Sequence, residues 1–371
     1  MRAFNSFDAK AFEPAISWAR KHERKISALS LAGGFAFDSW AFGRIDHART
    51  HAVLIIYLLA AGISIARLHM LESQPDGRKP SDKTRTILIF ITQFGLGCLL
   101  SGFCVFYIRS ASITSSWPFL LGMAAIFIGN EYMRRYHARL VFSALLFFFV
   151  LYSYVILLVP LVAGQIGRIP FLISGAIALV IFFFFMQALA RLGHERYRGA
   201  RRQVFAGMVL ITISLNLAYF LRLLPPLPLV LTDAGIYHQV TRAGSDFKVA
   251  EEDEPPEWQA LFGTHAIMHV QKGAKLYLYN AVFAPRGLNP RIVHDWQWLD
   301  PGKGWKTQQR IPVNIQGGRD DGYRFYTVKS APRPGQWQVN IQTFDGRAVG
   351  RVRFAVEEQA VPPAVTIKTL K

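Results

Sequence analysis

The chain has 371 residues, of which 51% are hydrophobic and 18% are charged. The apolar residues are concentrated before residue 225, where several runs of 17 or more residues carry no Asp, Glu, Lys or Arg. This distribution excludes a wholly soluble protein and a disordered one. Both cysteines, Cys98 and Cys104, lie in one apolar run, which excludes a disulfide framework.

The net charge of +18 raises the question of a nucleic-acid partner. Residues 1–224 carry +14 of this charge, whereas residues 225–371 carry only +4. The excess lies in short loops between apolar runs, a distribution typical of charges that orient a membrane protein. We therefore expect the lipid bilayer, and no nucleic acid, as a partner.

Seven apolar segments are near the ~20 residues that a helix needs to cross the hydrocarbon core. They are residues 26–43, 50–66, 86–108, 111–130, 140–160, 169–190 and 203–222. The first is the weakest, because it contains Asp38 and a pair of glycines. The sequence predicts a seven-span transmembrane domain over residues 26–224, in which this first segment is a short span or a re-entrant one.

The basic residues alternate between successive loops. The N-terminal tail and the loops after spans two, four and six contain 19 Lys and Arg residues, whereas the other three loops contain four. Positive residues mark the cytoplasmic side, so we expect residues 1–25 to form a cytoplasmic tail. An odd number of spans then places the C-terminal region outside the cytoplasm.

Of the polar residues within or near the predicted spans, five are singled out: Asp38, Arg44, Asp46, Asn130 and Glu131. Such groups are costly in lipid and are candidate intramembrane or interfacial sites. We favour a structural pairing of Asp38 with Arg44 over a proton or substrate relay. For Glu131 we favour an interfacial ion pair with the arginine pair that follows it over catalysis. No pattern of ligands predicts a metal site.

Residues beyond 224 are typical of an all-β domain. Three prolines follow the last span, and we assign residues 225–235 to a proline-rich linker. Short runs that alternate apolar and polar residues predict an immunoglobulin-like antiparallel β-sandwich over 236–358, followed by a C-terminal tail over 359–371. The predicted strands are 236–241, 246–250, 266–271, 275–283, 291–299, 310–316, 323–329, 336–343 and 348–356, and residues 255–262 are a candidate short helix.

Alternate positions of one predicted strand carry His294, Trp296 and Trp298. These side chains share a face, and with Arg324 and Tyr326 they form a candidate binding surface. The alternative, which we favour for the tryptophans, is that they anchor the core of the sandwich. The domain contains no nucleophile motif or phosphate-binding loop, so we identify no catalytic residue and no cofactor.

Several motifs of the C-terminal region carry a resemblance to a known family. They are His294-x-Trp296-x-Trp298, Gly322-Tyr323-Arg324, Pro334-Gly335-x-Trp337-x-Val339 and Gly350-Arg351-x-x-Phe354-x-Val356. In the membrane half the matching stretches are Phe37-Asp38, Arg44-Ile45-Asp46, Gly129-Asn130-Glu131 and Pro225-Pro226-Leu227-Pro228-Leu229. The chain thus resembles an uncharacterised family of bacterial multi-pass membrane proteins with a C-terminal extracytoplasmic domain. The resemblance implies an inner-membrane location and a periplasmic C-terminus, and it adds no catalytic residue.

Three classes of function remain open. The leading hypothesis is a non-enzymatic role, in which the sandwich binds or scaffolds a glycan or a partner protein of the cell envelope. One alternative is a membrane enzyme that modifies envelope lipid or glycan with Asp38, Asp46 or Glu131. The other is a transporter, which requires several buried charges facing one cavity. The sequence does not determine the oligomeric state.

Overall fold

The computed structural model describes residues 35–36, 38, 45–73, 80–110, 113–133, 136–137, 139–252 and 266–370. These residues form six long helices followed by eleven strands. The helices are α1 (Ala48–Glu72), α2 (Asp82–Ser110), α3 (Ile113–Tyr132), α4 (Leu140–Ala163), α5 (Arg168–Leu192) and α6 (His194–Phe220).

Among the described residues, five helices are long and apolar enough to cross a membrane, namely α1, α2, α4, α5 and the Tyr197–Phe220 part of α6. Helix α3 covers most of the fourth predicted span but is not among these five. The first predicted span, over 26–43, lies almost entirely outside the described residues. The structure therefore does not support the predicted seven spans. Its described residues support five helices of membrane length.

Helix α4 lies at the centre of the bundle and packs against α1, α2, α5 and α6. Its run of aromatic and aliphatic residues is buried almost all round, as expected for a central helix. Close approach to α5 requires a glycine, since a Cβ at Gly175 would lie 2.4 Å from the Tyr152 hydroxyl oxygen. The helix ends at Gly164, which adopts the left-handed conformation common at helix C-termini.

The strands form three sheets. A three-stranded sheet has the order β1-β5-β8, and a five-stranded sheet has the order β4-β10-β9-β6-β7. A second three-stranded sheet, which has shorter strands and which we call the small sheet, has the order β11-β3-β2. The strands are β1 (Val230–Tyr237), β2 (Gln239–Ala243), β3 (Asp246–Glu251), β4 (Ala266–Val270), β5 (Lys275–Phe283), β6 (Arg291–Asp300), β7 (Gly304–Asn314), β8 (Tyr323–Ser330), β9 (Gly335–Thr343), β10 (Ala348–Glu358) and β11 (Thr366–Leu370).

The first two sheets enclose one apolar core, which contains Leu278 and Phe325 from one sheet and Trp296, Trp337 and Phe354 from the other. This arrangement is the predicted β-sandwich. Its pairing departs from the prediction at one edge, where β4 lies parallel to β10 while the remaining pairs are antiparallel. The candidate helix over 255–262 lies outside the described residues.

The domain boundaries differ from those expected. Strand β1 begins at Val230, inside the stretch assigned to the linker, and β11 lies inside the stretch assigned to the C-terminal tail. Residues 224–229 are buried, although a proline-rich exit was expected to act as a spacer. Burial occurs because this segment is covered by both the helices and the sandwich, whose apolar clusters include Leu224 and Leu229, respectively.

Polar contacts between described residues join the helices to the sandwich. The Ser110 hydroxyl, at the end of α2, donates a hydrogen bond to the carbonyl oxygen of Leu229. The buried Arg347 side chain, in the turn between β9 and β10, lies 4.5 Å above the Tyr219 ring of α6 and pairs with Asp345 at 3.0 Å. This end of the sandwich is therefore seated on the end of the bundle.

Glu252 links the small sheet to the five-stranded sheet. Its carboxylate lies directly after β3, with one oxygen 2.5 Å from His238 Nε2 and the other 2.7 Å from His269 Nδ1 on β4. The backbone N–H of His269 also donates to the carboxylate, at 2.8 Å. We call these three residues the Glu252 bridge.

Candidate functional site

The strand that carries the predicted aromatic surface is β6, and the structure places that surface inside the sandwich. His294 and Trp296 are both 0% exposed, and Trp298 is partly buried against the same core. His294 stacks on Phe325, with ring centroids 4.9 Å apart. This face of β6 is part of the sandwich core, which is the alternative that we favoured for the tryptophans. A ligand cannot reach it, because the other sheet covers it.

His294 is held in the core in its neutral form. Trp296 Nε1 donates to the Thr327 hydroxyl oxygen at 3.2 Å, and His294 Nδ1 lies 2.8 Å from the same oxygen. The Thr327 O–H can therefore donate to Nδ1, which leaves the proton of the ring on Nε2. Burial lowers the pKa of His294 to about 3, because the charged form loses its hydration.

Arg324 and Tyr326 lie on β8, in the other sheet of the sandwich. Tyr326 packs against Phe247 of the small sheet. Arg324 donates a hydrogen bond to the carbonyl oxygen of Ser245, which lies in the turn between β2 and β3. The five residues of the predicted surface are thus divided between a buried face and the contact with the small sheet. They do not form one binding surface.

The opposite face of the five-stranded sheet carries polar residues in two rows. Because side chains alternate along a strand, residues 295 and 297 project away from the core that 294 and 296 fill. Residues paired across neighbouring strands share a face. From β10 to β7, the first row is Arg353, Gln338, Gln297 and Thr307, and the second is Arg351, Asn340, Asp295 and Arg310. We call these eight residues the polar face.

Hydrogen bonds connect the first row in one direction. Arg353 Nε donates to Gln338 Oε1 at 3.4 Å, and Gln338 Nε2 donates to Gln297 Oε1 at 2.7 Å. Gln297 Nε2 then donates to Thr307 at 3.3 Å and to Asp295 at 2.6 Å, and the Thr307 hydroxyl donates to Asp295 at 2.9 Å. A chain of donors thus leads from a guanidinium on β10 to a carboxylate on β6.

The centre of the polar face is buried and hydrogen-bonded, and its β10 side is exposed. Gln338 is only 3% exposed and Asp295 only 6%, whereas Arg353 is exposed. In the second row Arg351 Nε donates to Asn340 Oδ1 at 2.6 Å. Buried amides with satisfied hydrogen bonds hold their neighbours in fixed positions. The arrangement can therefore present preset donors to a polar ligand.

The polar face was not predicted, although the alternation of residues in two of its strands indicates it. Asp295 and Gln297 alternate with the aromatic residues of β6, and Gln338 and Asn340 alternate with the apolar residues of β9. The tryptophans were the more conspicuous half of the pattern. The pairing of β6 with both β7 and β9, which creates the rows, is not visible in the sequence.

In the helical half, three of the predicted polar sites lie along one helix face. Residues 93, 97 and 101 of α2 are four apart and so share a face. Gln93 Nε2 donates to Glu131 at 3.2 Å, and Asn130 Nδ2 donates to the Gln93 carbonyl oxygen at 3.3 Å. Asp38 lies beside Ser101, two turns further along the helix.

Neither of the predicted ion pairs is tested, because Arg44 and the arginines at 134 and 135 lie outside the described residues. Among the described residues, Glu131 accepts a hydrogen bond from Gln93 of a neighbouring helix. Asp46 lies outside this helix face, near His51 at the start of α1. In the described part of the chain, no group of His, Cys, Asp or Glu residues has the arrangement of a metal site.

Comparison with known proteins adds a family match over part of the chain. Residues 289–356 match a family described as "Protein of unknown function (DUF2914)". This stretch runs from just before β6 almost to the end of β10, and it contains all eight residues of the polar face. No curated protein matches the chain.

Two solved structures show low similarity. An immunoglobulin-like protein from Pseudomonas aeruginosa is 10% identical, with 35% of this chain and 96% of that chain covered and a TM-score of 0.20. The alkylpurine DNA glycosylase AlkC of Pseudomonas fluorescens, bound to DNA, is 8% identical, with 82% and 99% covered and a TM-score of 0.18. At these TM-scores, neither similarity carries an argument about fold or function.

Proposed function

We propose that this protein is an inner-membrane protein that displays its β-sandwich in the periplasm, where the polar face binds a glycan of the cell envelope. The helices act as the anchor and the sandwich as the binding module. The leading observation is the hydrogen-bonded first row on the five-stranded sheet, with the second polar row beside it. Such rows offer amide, hydroxyl and guanidinium groups at regular spacing, which suits the repeated hydroxyl groups of a polysaccharide.

The position of the polar face supports this role. It lies on strands β6, β7, β9 and β10, whereas contacts with the helices are made by Leu229, just before β1, and by the turn at Asp345 and Arg347. Arg353 is six residues from Arg347 along the chain, which corresponds to about 20 Å along a strand. Beside the first row lies an open depression of about 570 Å³ that includes Gln336 and Ala355. The depression leaves space beside the first row into which a bound ligand can extend.

Co-sedimentation with isolated cell-wall glycan tests the proposal. The full chain, reconstituted in nanodiscs, should sediment with the glycan, and Gln297→Ala should weaken binding about fivefold. This effect corresponds to the loss of about 1 kcal/mol of hydrogen-bond free energy. Gln239→Ala is the matched control, because Gln239 is an exposed glutamine of the small sheet. Equal binding by the two variants, or no binding by the parent chain, would contradict the proposal.

A second candidate function is ion or proton transfer through the bundle. The observation that favours it is a polar contact surface along one face of α2. Gln93 and Ser101 lie on this face, and they are contacted by Glu131, Asn130 and Asp38 from other segments. Asp38→Asn should then abolish proton uptake by proteoliposomes while the amount of inserted protein stays normal. Asp46→Asn, which alters a carboxylate outside this helix face, should retain uptake. Parent proteoliposomes that take up no protons would exclude this function.

A further inference from the structure

The β10 side of the polar face holds two arginines whose charges lie close together. Arg351 and Arg353 are two residues apart on one strand, so both side chains project from the same face of the sheet. Each directs its Nε toward a side-chain amide oxygen, that of Asn340 at 2.6 Å and that of Gln338 at 3.4 Å. These contacts orient the two guanidinium planes and leave the terminal Nη groups for other partners.

The electrostatics of this pair favour an added negative charge. Burial lowers the pKa of Arg351, and the positive charge of Arg353 lowers it further. The carboxylate of the polar face, Asp295, lies two strands away from β10 and is occupied by Thr307 and Gln297. Within the described part of the chain, no acidic side chain forms an ion pair with either arginine. An anion seated between the two guanidinium groups would remove their mutual repulsion.

We propose that Arg351 and Arg353 form an oxyanion subsite, which binds a carboxylate or phosphate group carried by the glycan. This inference rests on the proposed function, because it names the chemical class of the ligand at the same polar face. The guanidinium fork matches both groups, since two parallel N–H donors can reach two oxygens of a carboxylate or a phosphate. Asn340 and Gln338 are positioning residues, because their side-chain amides hold the two guanidinium groups in place.

The test uses the full chain in nanodiscs and three oligosaccharides of equal length, one neutral, one carboxylated and one phosphorylated. The acidic oligosaccharides should bind at least about tenfold more tightly than the neutral one, the range expected for a charged hydrogen bond. Arg353→Gln and Arg351→Gln should each remove most of that preference, and added salt should reduce it in the parent chain. Arg242→Gln, at an exposed position of β2, is the charge-matched control and should keep the preference.

The outcomes separate the two proposals. A preference for one or both acidic oligosaccharides that is lost in Arg353→Gln supports the subsite, and the arm that binds identifies carboxylate or phosphate as the group recognised. Equal binding of all three oligosaccharides, or a preference that survives both arginine substitutions, overturns the subsite and leaves the proposed glycan binding in place. Failure of all three to bind overturns both. Because Arg353 is exposed, its substitution should leave the fold intact, which the melting temperature checks.

Discussion

At the scale of single residues, the sandwich core is notable for polar side chains without complete hydrogen bonding. His294 Nε2 and both amide atoms of Asn280 are buried and have no partner in the described part of the chain. A buried polar group without a partner costs about 1–3 kcal/mol, so these positions lower the stability of the domain. For His294 the cost of burial would rise further if the ring were protonated.

The stability of the sandwich should therefore depend on pH through His294. The folded-state pKa is about 3, well below the ordinary histidine value of 6.5, so between these values the unfolded chain binds a proton that the folded chain does not. The free energy of unfolding should fall as the pH drops from 6.5 toward 3, by up to about 1.4 kcal/mol per pH unit. Denaturant titrations followed by tryptophan fluorescence at a series of pH values measure this slope.

A matched pair of histidine variants isolates the effect. His294→Gln should lose this part of the pH slope, because glutamine has no titrating group. His269→Gln replaces a more exposed histidine and should retain it. Identical slopes in the two variants would show that His294 is not the source.

At the scale of elements, the small sheet depends on few connections to the rest of the domain. Its apolar cluster contains Phe247 and Val249 together with Tyr279 from β5. The Glu252 bridge adds hydrogen bonds to His238 and to His269 of β4. The bridge is thus the polar link between β3 and the five-stranded sheet.

Glu252→Ala should loosen the small sheet selectively. The loss of these partly buried hydrogen bonds should reduce local stability by about 1–3 kcal/mol. Hydrogen exchange of the full chain should then be faster in β2, β3 and β11, while exchange in β6 and β9 stays unchanged.

Glu251→Ala provides the control for this variant. Glu251 is the neighbouring acid, and it pairs with the exposed Lys368 at 3.4 Å, a contact of low expected energy. Exchange in the small sheet should change little in this variant. Equal acceleration by the two substitutions would mean that the Glu252 bridge has no special role.

At the scale of the whole molecule, the orientation in the membrane is a prediction that the alternation of basic loops carries. Alkaline phosphatase folds into its active form only outside the cytoplasm. Fused after Lys371 it should be active, and fused after Lys79, in the loop between α1 and α2, it should be inactive. Green fluorescent protein at the same two positions should give the opposite pattern. Phosphatase activity at Lys79 and none at Lys371 would invert the proposed topology.

The sequence by itself determined the division into an apolar helical half and a β-rich half. Runs of apolar residues predict helices wherever they are long enough, because a chain in lipid must satisfy its hydrogen bonds internally. Alternation likewise located β5, β6, β8, β9 and β10 to within about two residues. Strands β1 and β11 were missed or misplaced, since β1 begins directly after the prolines and β11 follows a gap that resembles a tail.

Only the tertiary structure decided which face of β6 is available to a ligand. A period of two separates His294 and Trp296 from Asp295 and Gln297, but it does not say which pair is covered. The pairing of β6 between β7 and β9, with a second sheet packed on one side, buries the aromatic pair and aligns the polar pair with Gln338 and Arg353. These partners are distant from one another in the sequence, so the sequence does not predict the rows that they form. The proposed site therefore depends on strand order, which long-range packing determines.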